Sequence, residues 1–438
     1  MMRVLRIGAV ALLRQQLSPR TNLLSIAKFA TALKGQNVGT PTHTMDEVQA
    51  EIRQRLGLQR GYHPIPRSRE HLLKYTPKAE DLPPRSMQDS YTTAALPLST
   101  DLKLQDNYVS HLGNVRMGRL MEDLDAFAVW VAHQHVKVPT LPADVKLPYT
   151  FVTILVDKVS FSDLVTDVKE DIRFSGHTSW VGRSSMEIVV WVEQKHHGEY
   201  KKITRALFLM GARNATNTGA APVNPIEPAT DEEREILSGG EERKKRRQII
   251  QAQSIFRVEP NDFEQTLMYD IYKRTTDTNT MELNKRLLPA NARWMSEWST
   301  VTTIPSFPEN RNAHNTVFGG FLMRLALENS WTAAFLYCSV RPKLLHICDI
   351  SFEKPVPVAS FIKLTSYVVY TELNYLQIMT VADVLDTSAG GSNQVTTNVF
   401  YSTYKSNETV HQVLPRSYHE TMWYIQGRRK FKYAMGLE

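Results

Sequence analysis

Gly113-Asn114-Val115-Arg116-Met117-Gly118-Arg119-Leu120-Met121-Glu122-Asp123-Leu124-Asp125 and, about two hundred residues further on, Asn312-Ala313-His314-Asn315-Thr316-Val317-Phe318-Gly319-Gly320-Phe321-Leu322-Met323-Arg324-Leu325 are two spellings of one motif. Each is a polar loop ending in glycine and opening a helix with an apolar stripe. Each therefore builds a helix N-terminus with free backbone N–H groups, a place where developing negative charge can be held. The copies have decayed in complementary ways. With Gly118 set against Gly320, the position seven residues later is Asp125 in the first copy and Leu327 in the second. Eight residues before the glycine, the first copy has Ser110 and the second Asn312, whose carboxamide can donate to a carbonyl oxygen. If the repeats pack as a pseudo-dimer, Asp125 and Asn312 meet at one competent site, and the mirror site with Ser110 and Leu327 is dead.

The order of elements repeats as well. In the first helix Met117, Leu120, Met121, Leu124, Phe127, Ala128 and Val131 recur at spacings of three and four, which predicts one buried face. Strands are predicted at 150–158, 171–176, 184–194 and 202–212, rich in Val, Ile, Thr, Phe and Trp with alternation. The second motif has a lead-in at 292–304, a helix to about 339, and strands at 345–352, 361–371, 375–383 and 395–405. Asp171-Ile172-Arg173-Phe174 is read as the counterpart of Asp349-Ile350-Ser351-Phe352. The expected architecture is α+β: two tandem units, each an antiparallel sheet wrapped around a long central helix. Boundaries are placed at 46–82 for an N-terminal helical extension without chemistry, 83–212 for the first unit, 213–255 for a charged linker and 256–438 for the second unit.

At 438 residues and 42% hydrophobic content the chain can bury a large core. No stretch reaches the length of uninterrupted apolar sequence that a membrane-spanning helix needs. Residues 1–45 hold Arg3, Arg6, Arg14, Arg20, Lys28 and Lys34 with no acid before Asp46, the pattern of a mitochondrial transit peptide. Without those six charges the formal +7 falls to +1, which removes the main support for a nucleic-acid partner. Arg243-Lys244-Lys245-Arg246-Arg247 follows closely on acidic residues and reads as a solvated helix face. Cys338 and Cys348 are too few for a disulfide framework or a four-cysteine zinc site, and no metal-ligand spacing is present. Ser184 and Ser185 lack a Gly-x-Ser-x-Gly elbow.

These features carry a resemblance. Val115-Arg116-Met117-Gly118-Arg119 with Glu122-Asp123-Leu124-Asp125, Phe174-Ser175-Gly176-His177 with Ser179-Trp180-Val181-Gly182, Phe318-Gly319-Gly320-Phe321-Leu322-Met323-Arg324, Lys354-Pro355-Val356 and Thr396-Thr397-Asn398-Val399-Phe400 resemble the acyl-coenzyme A thioesterases with two fused hotdog domains, in the mitochondrial type 9 group. The likeness runs from about Pro83 to the C-terminus. It implies hydrolysis of fatty acyl-coenzyme A (acyl-CoA) to free fatty acid and CoA, with CoA part of the substrate and no cofactor. It also implies a mitochondrial, matrix location and a homo-oligomer, a trimer of double-hotdog chains. By the same resemblance, Asn312 works with Asp125 across the domain boundary, and the Gly319 N–H is a further oxyanion donor. Gly320, His314 and Asn315 share that loop and stand as substrate-binding candidates beside Glu328 and Arg324. Phe318 departs from the family, which often has His there, and Glu328 lies one residue past the position matching Asp125. For the coenzyme's phosphates, Arg116, Arg119, Arg324, Arg341, Lys343 and Lys354 are candidates. Two other readings remain: a hotdog hydratase or dehydratase using His314, and a silent acyl-CoA-binding or assembly protein.

Overall fold

The computed structural model describes residues 41–437 apart from 59, 60, 62, 64–66, 281, 283, 284, 313, 314, 349, 353 and 386–392. Residues 1–40, which carry most of the targeting pattern, and His314 lie outside the described residues. The chain enters through α1 (Met45–Leu56), set by a capping box between Thr44 and Glu47 and stopped by left-handed Gly57. Then follow β1 (Thr92–Leu96), the short α2 (Leu102–Tyr108) and the first central helix, α3 (Met117–His135). After it come β2 (Tyr149–Val156), β3 (Val159–Phe161), β4 (Ile172–Val181), β5 (Ser185–His196) and β6 (Glu199–Asn214). Two helices, α4 (Asp231–Ala252) and α5 (Asp262–Thr275), lead to β7 (Ala292–Trp294) and β8 (Ser299–Pro305). The second central helix, α6 (Gly319–Cys338), precedes β9 (Lys343–Cys348), β10 (Ile350–Ser351), β11 (Phe361–Glu372), β12 (Tyr375–Leu385), β13 (Gln394–Lys405) and β14 (Gln412–Leu414). The chain ends in α7 (Tyr418–Met435).

One sheet holds both halves, in the order β1-β4-β5-β6-β3-β9-β13-β12-β11-β8, with β2 beside β6 and β10 beside β2. Read from either end the order is the same pattern, so β1, β4, β5 and β6 correspond to β8, β11, β12 and β13. The halves join where Val159 and Ser160 pair with Ile347 and His346, and where Val156 pairs with Ile350. Each half curls round its own central helix: this is the tandem hotdog arrangement the sequence led us to expect. One expectation fails. Ile172 begins β4, which pairs with β1 and β5, whereas Ile350 sits in β10 against β2. The equivalent of β4 is β11, so 171–174 and 349–352 are not counterparts. Four residues of similar polarity cannot distinguish neighbouring strands of a duplicated sheet.

β5 is buried on both faces, which explains its unbroken run Met186–Gln194. Met186, Ile188, Val190 and Val192 point at the central helices, while Val189 and Trp191 pack outward against Ile236 of α4. The charged linker helix is thus a layer of the structure. Within its basic run, Arg243 and Arg247, one turn apart, reach buried Glu187 of β5 at 2.8 and 2.7 Å. That part of the run is inside, against the expectation of a solvated face, because only two arginines of one helical row can meet the same carboxylate. Gly240 lets α4 approach: a Cβ there would lie 2.1 Å from the Trp180 ring. On the second half α7, which had no counterpart among the predicted elements, covers the sheet with Tyr424, Ile425 and Phe431 beside Val369 and Tyr370.

Candidate active site

The described residues of the two motif loops make matching hydrogen bonds at a constant offset of 202 residues. Ser110 N–H donates to Asn114 C=O at 2.8 Å, and Asn312 N–H to Thr316 C=O at 2.7 Å. Gly113 N–H donates to Ser110 C=O, as Asn315 N–H does to Asn312 C=O. Arg116 N–H reaches Tyr108 C=O, and Phe318 N–H reaches Asn310 C=O. Both turns need a residue at positive φ, and these are Gly113 at 81° and Asn315 at 59°, residue types that tolerate the left-handed region. Each hairpin delivers the chain onto the N-terminus of a central helix, and the two helices pack against each other.

Asp125, on α3 of the first half, is 1% exposed. Its Oδ2 accepts the Gly320 N–H at 2.7 Å from the N-terminus of α6, and its Oδ1 accepts the Thr153 hydroxyl of β2 at 2.5 Å. Close approach is possible because residue 320 has no side chain: a Cβ would stand 2.6 Å from the Phe318 ring and 2.9 Å from the Glu122 carbonyl oxygen. Burial pushes the Asp125 carboxyl up to about 6, against the hydrogen bonds from Thr153 and Gly320 that favour its ionised form. A carboxylate so placed is a competent base near neutral pH. The Gly319 N–H, the first of the helix, has no acceptor among the described residues. Asn312 is half-buried; its Nδ2 donates to Thr316 Oγ1 at 2.8 Å and its Oδ1 accepts the Thr316 N–H at 3.2 Å, which hold the carboxamide in the loop.

Asp125, Asn312, Asn315, Gly319 and Thr153 line one cavity of about 2080 Å³ between the halves. That exceeds the usual few hundred to one thousand Å³ of small-ligand pockets and suits an extended ligand. Three other candidates, Gly320, Glu328 and Arg324, lie elsewhere. Gly320 spends its N–H on Asp125 and does not line the cavity. Glu328 and Arg324 do not line it either: Glu328 takes a bidentate pair from Arg116 at 2.6 and 2.9 Å, and Arg324 pairs with Glu122 at 2.9 Å. The Arg116–Glu328 pair fills the mirror site beside Gly118, where a Cβ would fall 2.6 Å from Glu328 Oε1. Buried Leu327 supplies no base there.

Of the six cations considered for coenzyme phosphates, only Lys354 lines the cavity. Arg119 pairs with Glu122, Arg341 reaches the Leu112 carbonyl, and Lys343 pairs with Asp163. The cavity's other basic residues include Arg53, Arg67 and Arg69 of the N-terminal extension, Lys146, Arg213 and Arg311. The extension was expected to carry no chemistry; its signal was a run of arginines with no acid between Glu51 and Glu70. Thr153 left no signal, being one threonine in a β-branched strand.

No family profile matches the chain. Acyl-coenzyme A thioesterase 9, mitochondrial, of Mus musculus is 36% identical over 400 residues, 90% of each chain. The Homo sapiens protein of that name is 36% identical over 89% of each, and acyl-coenzyme A thioesterase 2, chloroplastic, of Humulus lupulus is 31% identical over 76% of each. An acyl-ACP thioesterase from Bacteroides thetaiotaomicron superimposes on 73% of this chain and all of its own at TM-score 0.42 and 12% identity. Tandem hotdog domains with an acid and a glycine-opened helix facing each other define the class, a thioester hydrolase. Within it, the chain belongs to the mitochondrial acyl-coenzyme A thioesterase 9 group.

Proposed function

We propose that this chain hydrolyses fatty acyl-CoA to free fatty acid and CoA in the mitochondrial matrix, at a single site shared by the two halves. Asp125 takes a proton from water as the water oxygen attacks the thioester carbon. The oxyanion of the tetrahedral intermediate is held by the Gly319 N–H and the Asn312 carboxamide. Collapse breaks the carbon–sulfur bond, the acid departs, and protonated Asp125 returns its proton to the thiolate. Thr153 and the Gly320 N–H keep the carboxylate aimed throughout. The observation that carries this reading is the 2.7 Å bond from Gly320 to Asp125, which joins the base of one half to the oxyanion end of the other.

The test is thiol release by the protein lacking its leader, with acyl-CoAs from short to long chain. A positioned base contributes roughly 10²–10⁴-fold and an oxyanion donor roughly 10²–10³-fold, so Asp125→Ala and Asn312→Ala should each be severe. Turnover indifferent to both would refute the site. Assembly of several double-hotdog chains, a trimer, is proposed alongside, and light scattering on the purified protein tests it.

A further inference from the structure

Thioester cleavage occupies only one end of the cavity. Along α3, Asp125, Val129 and His133 line it at four-residue spacing, which spans about 12 Å at the rise of an α-helix. His133 is 2% exposed, and neither ring nitrogen has a hydrogen-bond partner among the described residues. Burial, with Arg55 and Arg69 nearby, lowers its pKa to about 3, so the ring is neutral and offers one donor and one acceptor. A buried polar ring with nothing to bond is costly unless a ligand completes it.

The described residues of the N-terminal arm pack against this end. Arg55 donates to the His133 carbonyl at 3.2 Å, Leu147 N–H donates to the Arg55 carbonyl, and Arg69 donates to the Leu147 carbonyl at 2.7 Å. Gly57, which caps α1, lies against the stem of Lys146; a Cβ there would be 3.0 Å away. Arg311 of the catalytic loop donates to the His63 carbonyl and ties the arm to the second half. Among the described residues, seven Arg and Lys line the cavity against three carboxylates, of which Glu122 is already paired with Arg324. Arg53 and Lys146 are exposed side chains in no ion pair among the described residues. Like charges gathered in a concave wall repel one another and focus an attractive field on an anion.

We propose that this arm, through its described residues, is part of the substrate site: Arg53 and Lys146 bind phosphate groups of the coenzyme's nucleotide, and His133 hydrogen-bonds the pantetheine chain running from them to Asp125. This rests on the acyl-CoA reading above and adds to it a chain segment outside the two hotdog domains.

Isothermal titration of the full chain with CoA and with pantetheine, which lacks every phosphate, tests it. Arg53→Glu with Lys146→Glu should raise the Kd for CoA about tenfold or more, since two charge reversals each exceed the loss of an exposed pair. The Kd for pantetheine should not move, and Arg53→Lys with Lys146→Arg should keep CoA affinity within about threefold. An unchanged Kd for CoA would overturn the proposal, as would equal weakening for both ligands, which marks an arm that only supports the fold. If wild type binds CoA with this phosphate dependence yet hydrolyses no acyl-CoA, the arm assignment stands and the hydrolase reading falls. If it hydrolyses acyl-CoA with a KM indifferent to the double reversal, the reverse holds.

Discussion

Replacing Thr153 by valine keeps the volume of a half-buried β2 side chain and removes one hydrogen bond from Asp125. Asp125 ionises at about 6 because burial outweighs two donors, one of which is this hydroxyl. A hydrogen bond to a charged group contributes about 1.5–3 kcal/mol, and one pKa unit is about 1.4 kcal/mol, so Thr153→Val should move the Asp125 titration alkaline by about one to two pH units. The base is active when ionised. At pH 6 the ionised fraction, and with it kcat/KM, should fall roughly 5- to 50-fold, while at pH 9 most of the wild-type rate returns. The assay is kcat/KM for one acyl-CoA between pH 5 and 9, with the acid limb fitted for both proteins. A limb that stays in place would refute the account of how Asp125 is tuned. A rate reduced by the same large factor at every pH would show that Thr153 touches the reacting atoms themselves.

Asp123 is buried with its carboxylate on the Tyr108 hydroxyl, and burial pushes it up to about 7. Because its folded pKa lies above the unfolded one, this group costs stability as pH rises from about 4 through 7; Asp123→Asn should therefore raise Tm more at pH 8 than at pH 5, read by calorimetry. Glu187→Gln leaves Arg243 and Arg247 facing a neutral group in the interior and should destabilise by about 3–5 kcal/mol, with α4 becoming the first segment cut in limited proteolysis. Glu328→Gln should cost about 1 kcal/mol or less in denaturant unfolding, since the Arg116 pair is about one-third exposed, and should leave kcat/KM within about twofold.

The duplicated frame was readable because the hairpins that carry it depend on residue types with special backbone freedom, Gly113 and Asn315, followed by glycine at a helix start. Asp125 and Asn312 could be matched because each survives in only one copy. What could not be read depends on distance along the chain. Thr153 becomes visible only once β2 lies beside α3. The basic arm required knowing that His63 lies beside Arg311. Arg243 and Arg247 look like solvent charges until a sheet places Glu187 beneath them. The confusion of 171–174 with 349–352 has the same origin: pairing partners, not local polarity, tell one strand of a repeated sheet from another.

At the pseudo-twofold axis Glu122 meets Arg324, and with the 202-residue offset these are the same position in the two copies. Two identical subunits could never make that contact. A pair of first halves would bring glutamate against glutamate, and a pair of second halves arginine against arginine, each a like-charge contact between packed helices. The covalent link has therefore become chemically committed: the halves recognise each other as lock and key, and neither can replace its neighbour with a copy of itself.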